Sequence, residues 1–223
     1  YPDPDRLAAI WEVNDRGTFS RLADPNFNDF RDRNRTFAVM AKYAGMIESV
    51  TGTGEPTREM VATVTRDFFT VLGVQPALGR PFAPDDCRLG AVPTVVVSHR
   101  YWARSLGAGA SLSAFRLSIA NRVHEVIGVM PAGFEFPARA DLWVPAELDE
   151  ENTSRTSHNY WAVGRLRDGV AVARASAELN TIAADIIRHS PEQGRYLMTG
   201  AAAEPLHASL TGRAGQTLYL LLG

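Results

Sequence analysis

Two short segments contain the residue types that nucleophilic catalysis uses. Ser98 and His99 are adjacent at the predicted end of a strand, where neighbouring side chains point to opposite faces. The sequence has no Gly-x-Ser-x-Gly segment, the turn that exposes the serine of many hydrolases. The single cysteine, Cys87, follows Asp85 and Asp86, and we expect these carboxylates to raise its pKa and reduce its reactivity. We predict no catalytic residue; a triad assembled from distant residues is the alternative.

The histidines and the acidic clusters do not have metal-binding spacing. None of the five histidines belongs to a His-x-x-x-His pair; they are His99, His124, His158, His189 and His207. The clusters Asp85-Asp86 and Glu147-Asp149-Glu150-Glu151 could gather a calcium ion, but both lack the Asp-x-Asp-x-Asp-Gly spacing of a calcium loop. We interpret both clusters as solvated loops and predict no metal and no cofactor.

Aromatic pairs and one long apolar stripe are the remaining candidates for binding. Phe68-Phe69 and Tyr101-Trp102 could line a ligand groove, although core packing is the commoner role of such pairs. The predicted helix Val172–Arg188 could bind a partner, but a narrow apolar stripe more often packs on the protein's own sheet. A soluble ligand-binding sensor would instead need one deep apolar pocket.

The composition excludes several classes of protein. The chain has 223 residues, 45% of them hydrophobic and 22% charged, which is ordinary for a globular protein. Its net charge of −2 gives no basic surplus for binding nucleic acid. A single cysteine cannot form an intrachain disulfide, so packing must hold the fold together.

The first third of the sequence predicts a strand, helical segments and a hairpin. Residues 7–13 are typical of a buried strand, and Asp24-Pro25 is typical of a helix start. The spacing of Phe27, Phe30, Phe37 and Met40 predicts one broken helix or two short helices over residues 25–41. Alternating charges there predict a solvated, paired face; they are Arg31, Arg33 and Arg35 with Asp29 and Asp32. Residues 42–65 read as a hairpin.

The middle of the chain alternates short helices and strands. Asp67 begins a helix over Phe68–Leu72 that ends at Gly73. The run Thr94–Ser98 predicts a central strand buried on both faces, with Ser98 capping a helix from His99 to Leu106. Residues 107–113 read as a linker and residues 115–130 as a hairpin around Asn121-Arg122. Asp141–Pro145 reads as a short edge strand, because proline is usually confined to edges or strand ends.

The last third predicts a second structural unit. Residues 147–156 read as a linker, His158–Leu166 as a strand, Val172–Arg188 as the longest helix and residues 196–206 as a weak strand. We expect residues 1–20 and 156–212 to pair as a βαβ subdomain, with residues 21–155 inserted as a mixed α/β sheet subdomain. The predicted fold class is therefore α+β with two subdomains.

Five segments of the chain recur in one known family, in the same order and at the same spacing. They are Arg33–Phe37 with Met40-Ala41, Gly54 through Val61, Asp67 through Arg80, Val126 through Phe134, and Asp141 through Pro145. On these segments the chain closely resembles the periplasmic core domain of MacB/FtsX-type ABC transporter permeases, over nearly its whole length. It departs from the family at the hairpin tip, where Asn121-Arg122 replaces the usual Asp-Gly, and in the 107–113 linker, which is richer in small residues than usual.

The resemblance implies a periplasmic loop between the first two membrane helices of a four-helix inner-membrane permease. Such permeases work as homodimers and are powered by a cytoplasmic ABC ATPase through the membrane helices. Gly52-Thr53-Gly54 lacks the Gly-Lys-Ser/Thr ending of a phosphate-binding loop, so the ATPase would be a separate domain or subunit. The implied role is non-catalytic: coupling of membrane-helix motion to a substrate or a periplasmic partner, without nucleic acid. A secreted hydrolase or a ligand-binding sensor is the alternative.

The two ends of the sequence agree with a loop between membrane helices. The chain begins Tyr1-Pro2-Asp3 without a methionine and ends in an apolar run over residues 216–223. That run is shorter than the roughly 20 apolar residues that span a bilayer. We expect residues 213–223 to begin a transmembrane helix and both ends to lie at one surface; from the run alone, an ordinary C-terminal core helix is equally compatible.

Overall fold

The chain divides into two structural units. The structure, a computed structural model, describes residues 1–52, 54–107, 112–146, 154–190 and 198–211. The acidic cluster 147–151 and the predicted transmembrane start at 213–223 lie outside these residues. The first unit contains Tyr1–Lys42 and Glu150–Gly223, and the second contains Tyr43–Asp149. These boundaries differ from the predicted ones at 20/21 and 155/156.

The described residues form a mixed α/β fold that is rich in sheet. The strands are β1 (Leu7–Val13), β2 (Phe19–Ser20), β3 (Leu22–Ala23), β4 (Phe37–Thr51), β5 (Thr57–Val64), β6 (Leu78–Gly79), β7 (Thr94–Val97), β8 (Arg116–Ile119), β9 (Arg122–Val129), β10 (Leu142–Pro145), β11 (His158–Leu166) and β12 (Gly200–Pro205). The helices are α1 (Asp24–Arg33), α2 (Phe68–Leu72), α3 (His99–Tyr101), which continues as a π-helical turn over Trp102–Leu106, and α4 (Val172–His189). Residues 206–211 are also helical.

The sheet of the first unit joins the two ends of the chain. Its strand order is β12-β1-β11-β4, and β1 is antiparallel to both β11 and β12. Residues 7–12 of β1 are all buried, as the continuous apolar run of this strand predicts. The predicted pairing between the beginning of the chain and its last third is therefore present.

Helices α1 and α4 of the first unit pack on one core. The predicted apolar stripe of α4 is buried along its whole length; it consists of Ala175, Leu179, Ile182, Ala183 and Ile186. Phe27 and Phe30 of α1 and Ile10 of β1 belong to the same apolar cluster. Because α1 buries its apolar side chains against this core, the segment that contains α1 belongs to the first unit and the boundary follows residue 42.

The sheet of the second unit has the strand order β4-β5-β10-β7-β9-β6, and β8 pairs with β4 and β9. β4 and β5 form the predicted first hairpin. β8 and β9 form the second, whose turn residues are Ala120 and Asn121, both with positive φ, one position earlier than predicted. All four residues of β7 are buried between β10 and β9, as predicted for a central strand.

The helix predicted over residues 25–41 is wrong in its second half. α1 ends at Arg33, and Phe37 begins the long strand β4. Asn34 produces the change, because its side-chain amide donates to Phe30 O at 2.8 Å and its Oδ1 accepts from Phe37 N at 2.9 Å. Phe37 and Met40 are both buried, so their three-residue spacing resembled that of a helix although they lie on a strand.

The prediction of an edge strand over residues 141–145 is also wrong. β10 lies between two neighbours, parallel to β5 and antiparallel to β7. Pro145 is tolerated because it occupies the last position of the strand, where it ends the ladder. The following residue restores the backbone bonding, since Ala146 N donates to Val64 O at 2.7 Å.

Candidate functional site

Ser98, the first catalytic candidate, lies in a hydrogen-bonded group at the end of β7. Its Oγ accepts from Tyr101 N at 2.9 Å and caps α3 as predicted. The same hydroxyl donates to Asp141 Oδ1 at 2.7 Å, and Arg100 binds both oxygens of Asp141 at 3.0 and 2.9 Å. Ser98 is 3% exposed, and the neighbouring His99 ring lies against Trp102, with centroids 5.5 Å apart. Ser98 therefore organises the start of α3.

Cys87, the second candidate, is buried and deactivated. Burial raises the pKa of its thiol, and Asp86 raises this pKa further. Asp86 itself binds Arg80 with both oxygens, at 2.5 and 2.9 Å, and accepts from Ala83 N at 2.7 Å. These hydrogen bonds outweigh burial and hold the pKa of the Asp86 carboxyl below its usual value. Each of the two aspartates thus pairs with an arginine: Asp86 with Arg80, and the exposed Asp85 with Arg88 at 3.0 Å.

Three of the five histidines each contact a different polar group. Burial lowers the pKa of His124, whose Nδ1 lies 2.8 Å from Arg122 O. His158 Nδ1 lies 2.8 Å from Glu12 Oε2, and His189 lies beside Asp185. Among the described residues, no three histidine, cysteine or carboxylate side chains are grouped as metal ligands would be.

The aromatic pair Phe68-Phe69 packs in the core of the second unit. Both rings are fully buried or nearly so. Phe68 stacks on Phe136 at 5.8 Å, and Phe69 meets Trp143 edge-on at 6.0 Å. Trp143 Nε1 donates to Phe136 O at 3.0 Å, which satisfies the indole N–H. These rings hold α2 against the sheet.

Two cavities of the second unit are small. One, of about 90 Å³, lies beside Ser98, Arg100 and Glu135. The other, of about 210 Å³, lies between the 3-10 turn Pro84–Cys87 and the strand ends at Thr94 and His124. Both volumes are below the roughly 300 Å³ at which pockets for drug-sized ligands begin.

The most distinctive feature of the first-unit sheet is that the start of β1 lies beside the end of β12. Ala8, at the start of β1, pairs with Pro205, at the end of β12. Arg6, just before β1, donates to Leu166 O at 3.0 and 2.7 Å and binds Asp168 at 2.6 Å. We call this end of the sheet, where β1 begins and β12 finishes, the paired-end edge. None of the helices in the described part of the chain is long and apolar enough to cross a bilayer.

α4 anchors this sheet through polar side chains as well as its apolar stripe. Backbone N–H groups of the edge strand β12 donate to α4: Ala201 N to Asn180 Oδ1 at 3.3 Å and Ala203 N to Ser176 Oγ at 3.1 Å. These bonds occupy amides that an exposed sheet edge would offer to another strand. These hydrogen bonds attach β12, which forms one side of the paired-end edge, directly to α4.

Buried charges in the first unit were not found by sequence reasoning. Glu12 on β1 is 0% exposed, and Asp24 and Lys42 form a buried ion pair beside the rings of Phe27 and Tyr160. Burial lowers the pKa of Lys42 to about 8. The one usable signal was that Lys42 is the only lysine among 23 basic residues.

Two of the sequence segments that recur in the family pair with each other. Ala77 N donates to Val129 O at 2.8 Å, and Arg80 N donates to Ile127 O at 2.9 Å, on either side of the β6–β9 pairing. A side chain at Gly79 would meet Ile127 O at 2.1 Å, and one at Gly128 would meet Arg80 O at 2.7 Å. Both glycines are therefore required for this close approach.

The chain is similar to a known protein family and to several solved structures. The sequence profile of MacB-like periplasmic core domains matches residues 2–182. A domain described as part of a permease from Porphyromonas gingivalis is 16% identical, with a TM-score of 0.69, covering 92% of this chain and 93% of that one. The periplasmic region of MacB from Actinobacillus actinomycetemcomitans is 12% identical, with a TM-score of 0.64, covering 94% and 92%.

A third solved structure is also similar. The extracellular domain of the noncanonic ABC-type transporter YknZ from Gram-positive bacteria is 14% identical, with a TM-score of 0.62, covering 87% of this chain and all of that one. A comparison with curated proteins finds no match. At these identities the solved structures establish the shared fold.

Proposed function

From the fact that the chain belongs to the family of MacB-like periplasmic core domains, we propose that it passes motion between membrane helices and a substrate or partner outside the cytoplasm. The chain is a periplasmic or extracellular domain of an ABC transporter permease. In our proposal the domain itself performs no bond chemistry. A separate cytoplasmic ATPase drives it, and the full-length permease acts as a homodimer in the inner membrane.

The observation that carries this proposal is the pairing of Ala8 with Pro205. Because β1 and β12 are adjacent and antiparallel, the start of β1 and the end of β12 lie at the same end of the first-unit sheet. Two membrane helices attached at this edge would move the sheet together. We therefore propose that the first unit is the membrane-proximal subdomain and that the second unit contacts the substrate or the partner.

The catalytic candidates support a non-catalytic role because each has a structural task. The Ser98 hydroxyl is shared between a helix cap and Asp141, and the Cys87 thiol is buried with a raised pKa. The two cavities described above are smaller than a typical ligand pocket. These facts favour the permease domain over a hydrolase or a sensor.

The proposal is tested in the full-length permease with its ATPase, reconstituted in nanodiscs. A six-residue Gly/Ser spacer inserted between Tyr1 and Pro2 lengthens one connection to the sheet. A spin label at Leu89→Cys, which replaces an exposed residue of the second unit, reports the distance between the two protomers in a Cys87→Ala background. In the wild-type permease we expect this distance to change with ATP, and we expect the spacer to abolish the change.

The matched control inserts the same spacer at the exposed hairpin tip between Asn121 and Arg122. This variant should retain the ATP-dependent change in distance, and both variants should retain basal ATP hydrolysis. An ATP-dependent change that survives the spacer before Pro2 unaltered would show that motion does not pass through the paired-end edge.

A further inference from the structure

A fully buried carboxylate in the first unit belongs to a polar network around the start of β11. Glu12 Oε1 accepts from Ala23 N and from Asn26 Nδ2, both at 2.9 Å. Its second oxygen, Oε2, lies 2.8 Å from His158 Nδ1. Glu12 is 0% exposed, whereas the His158 side chain is 24% exposed. The imidazole is therefore the more exposed member of this pair, although its Nδ1 atom is itself buried against Glu12.

The network also includes the segment that precedes β11. Arg155 Nη1 donates to Asn26 Oδ1 at 2.7 Å and lies 2.8 Å from Asp29 Oδ2. Through Asn26, these contacts connect β1, the first turns of α1 and the residues just before β11. The second unit ends at Asp149, so this segment is where the chain has returned to the first unit.

We propose that the Glu12–His158 contact is a proton-dependent latch that holds the start of α1 and the start of β11 on the first-unit sheet. With an imidazolium at His158, the charges of Glu12 and His158 cancel, while Asp29 is paired separately with Arg155 and Arg33. Loss of that proton leaves the Glu12–His158 pair with one negative charge, on a carboxylate that is 0% exposed. Because opposite charges in contact favour the charged forms, this arrangement favours protonated His158 in the folded chain. The latch is therefore tight at mildly acidic pH and weakens as pH rises.

Other ionisable groups around the pair have their own partners. Asp24 of α1 pairs with Lys42 of β4, and Lys42 lies over the ring of Tyr160 on β11. Glu204 of β12 accepts from Trp11 Nε1 at 3.0 Å, on the face of β1 opposite Glu12. Burial lowers the pKa of Lys42 to about 8, so most of the titration of Lys42 falls above the pH range 5.5–7.5 used for His158.

The inference concerns the isolated chain and does not depend on the proposed transport function. The extracytoplasmic location proposed above gives it a physiological setting, because such a domain is exposed to the pH outside the cytoplasm. The test uses the 223-residue chain, so its result is independent of the spacer experiment on the full-length permease.

The first measurement needs no substitution. The ring carbons of His158 are followed by NMR as a function of pH, with the exposed His207 as the reference. We expect the titration midpoint of His158 to lie above that of His207, because the Glu12 carboxylate contacts only His158. In Glu12→Gln, which keeps the size of the side chain, this difference should disappear. Equal midpoints for the two histidines in the wild-type chain would overturn the proposal.

The second measurement follows the hydrogen exchange of a backbone amide that donates to Glu12. We expect hydrogen-exchange protection of Ala23 N, which donates to Glu12, to fall about tenfold between pH 5.5 and 7.5 after correction for intrinsic exchange. In His158→Gln this dependence should be absent. The Ala203 amide, whose partner Ser176 does not titrate, should keep constant protection in both proteins. Protection of Ala23 that is independent of pH in the wild-type chain would contradict the latch.

Discussion

Glu178 of α4 accepts hydrogen bonds from both the backbone amide and the hydroxyl of Thr36, at 3.1 and 2.5 Å, through a single oxygen. Its other oxygen accepts from Arg35 N at 3.0 Å. One carboxylate thus satisfies two consecutive backbone donors just before β4 begins. The helix that covers the first-unit sheet is thereby tied to the point at which the chain leaves α1.

We predict that Glu178→Ala lowers the free energy of unfolding by about 2–4 kcal/mol, because it leaves Arg35 N, Thr36 N and the Thr36 hydroxyl without this acceptor. Glu178→Gln should lose less, since one acceptor oxygen remains. Urea unfolding at pH 7 measures both variants. Arg174→Ala, at an exposed position of the same helix, serves as the control and should change stability by less than about 0.5 kcal/mol. If Glu178→Ala lowered the free energy of unfolding no more than this control does, the anchoring role would be refuted.

The Ser98 group yields a prediction that separates a structural serine from a nucleophile. Ser98→Ala removes the cap of α3 and a donor to Asp141, and should lower stability by about 1–2 kcal/mol. A fluorophosphonate probe, which reacts with activated serines, should not label the wild-type chain, because this buried hydroxyl already donates to Asp141. Labelling that is lost in Ser98→Ala would revive the hydrolase alternative.

Sequence reasoning succeeded where periodicity decides the structure. The five-residue apolar stripe of α4 and the two hairpins follow directly from alternation and helical spacing. It failed at Phe37 and Met40, where a three-residue spacing on a strand resembles a helix and a capping asparagine decides the outcome. Pro145 misled the assignment of β10 because a proline at the last strand position is compatible with a central strand as well as an edge.

The polar contacts could not be predicted for a different reason. Glu12, Lys42 and Glu178 each act through a partner that is distant in sequence, and a single buried charge leaves no periodic pattern. The apolar residues around Glu12 predict a buried strand, but they do not indicate which side chains bind its carboxylate. Such contacts become visible only when β1, α1 and β11 have been placed together.

Lys42 makes the stability of the fold depend on pH in a direction that can be checked. Its pKa is lowered from 10.5 to about 8 by burial, so between these values the unfolded chain binds more protons than the folded one. Stability contributed by this group therefore rises as pH increases through that window, by up to about 3 kcal/mol, with the Asp24 carboxylate opposing the effect. Lys42→Met should remove this rise.

The measurement for Lys42 is simple because the chain has no other lysine. Selective ¹³C labelling of lysine gives one side-chain resonance, whose titration reports the ionisation of this amine in the folded protein. Urea unfolding at pH 7.5, 9 and 10 then compares the wild-type chain with Lys42→Met. A resonance that titrates near 10.5 would mean that the Asp24 pair, rather than burial, controls the charge.

Gly79 and Gly90 form a matched pair that separates steric contact from backbone strain, since both have φ +76°. At Gly79 an added Cβ would meet Ile127 O at 2.1 Å, whereas at Gly90 it would meet nothing within 4 Å. Gly90→Ala should therefore cost only the positive φ, about 1 kcal/mol. Gly79→Ala should cost at least about 2 kcal/mol more, because the clash is with backbone and must separate β6 from β9. Urea unfolding of the two variants measures the difference, and equal losses would show that the β6–β9 pairing does not require a glycine at this position.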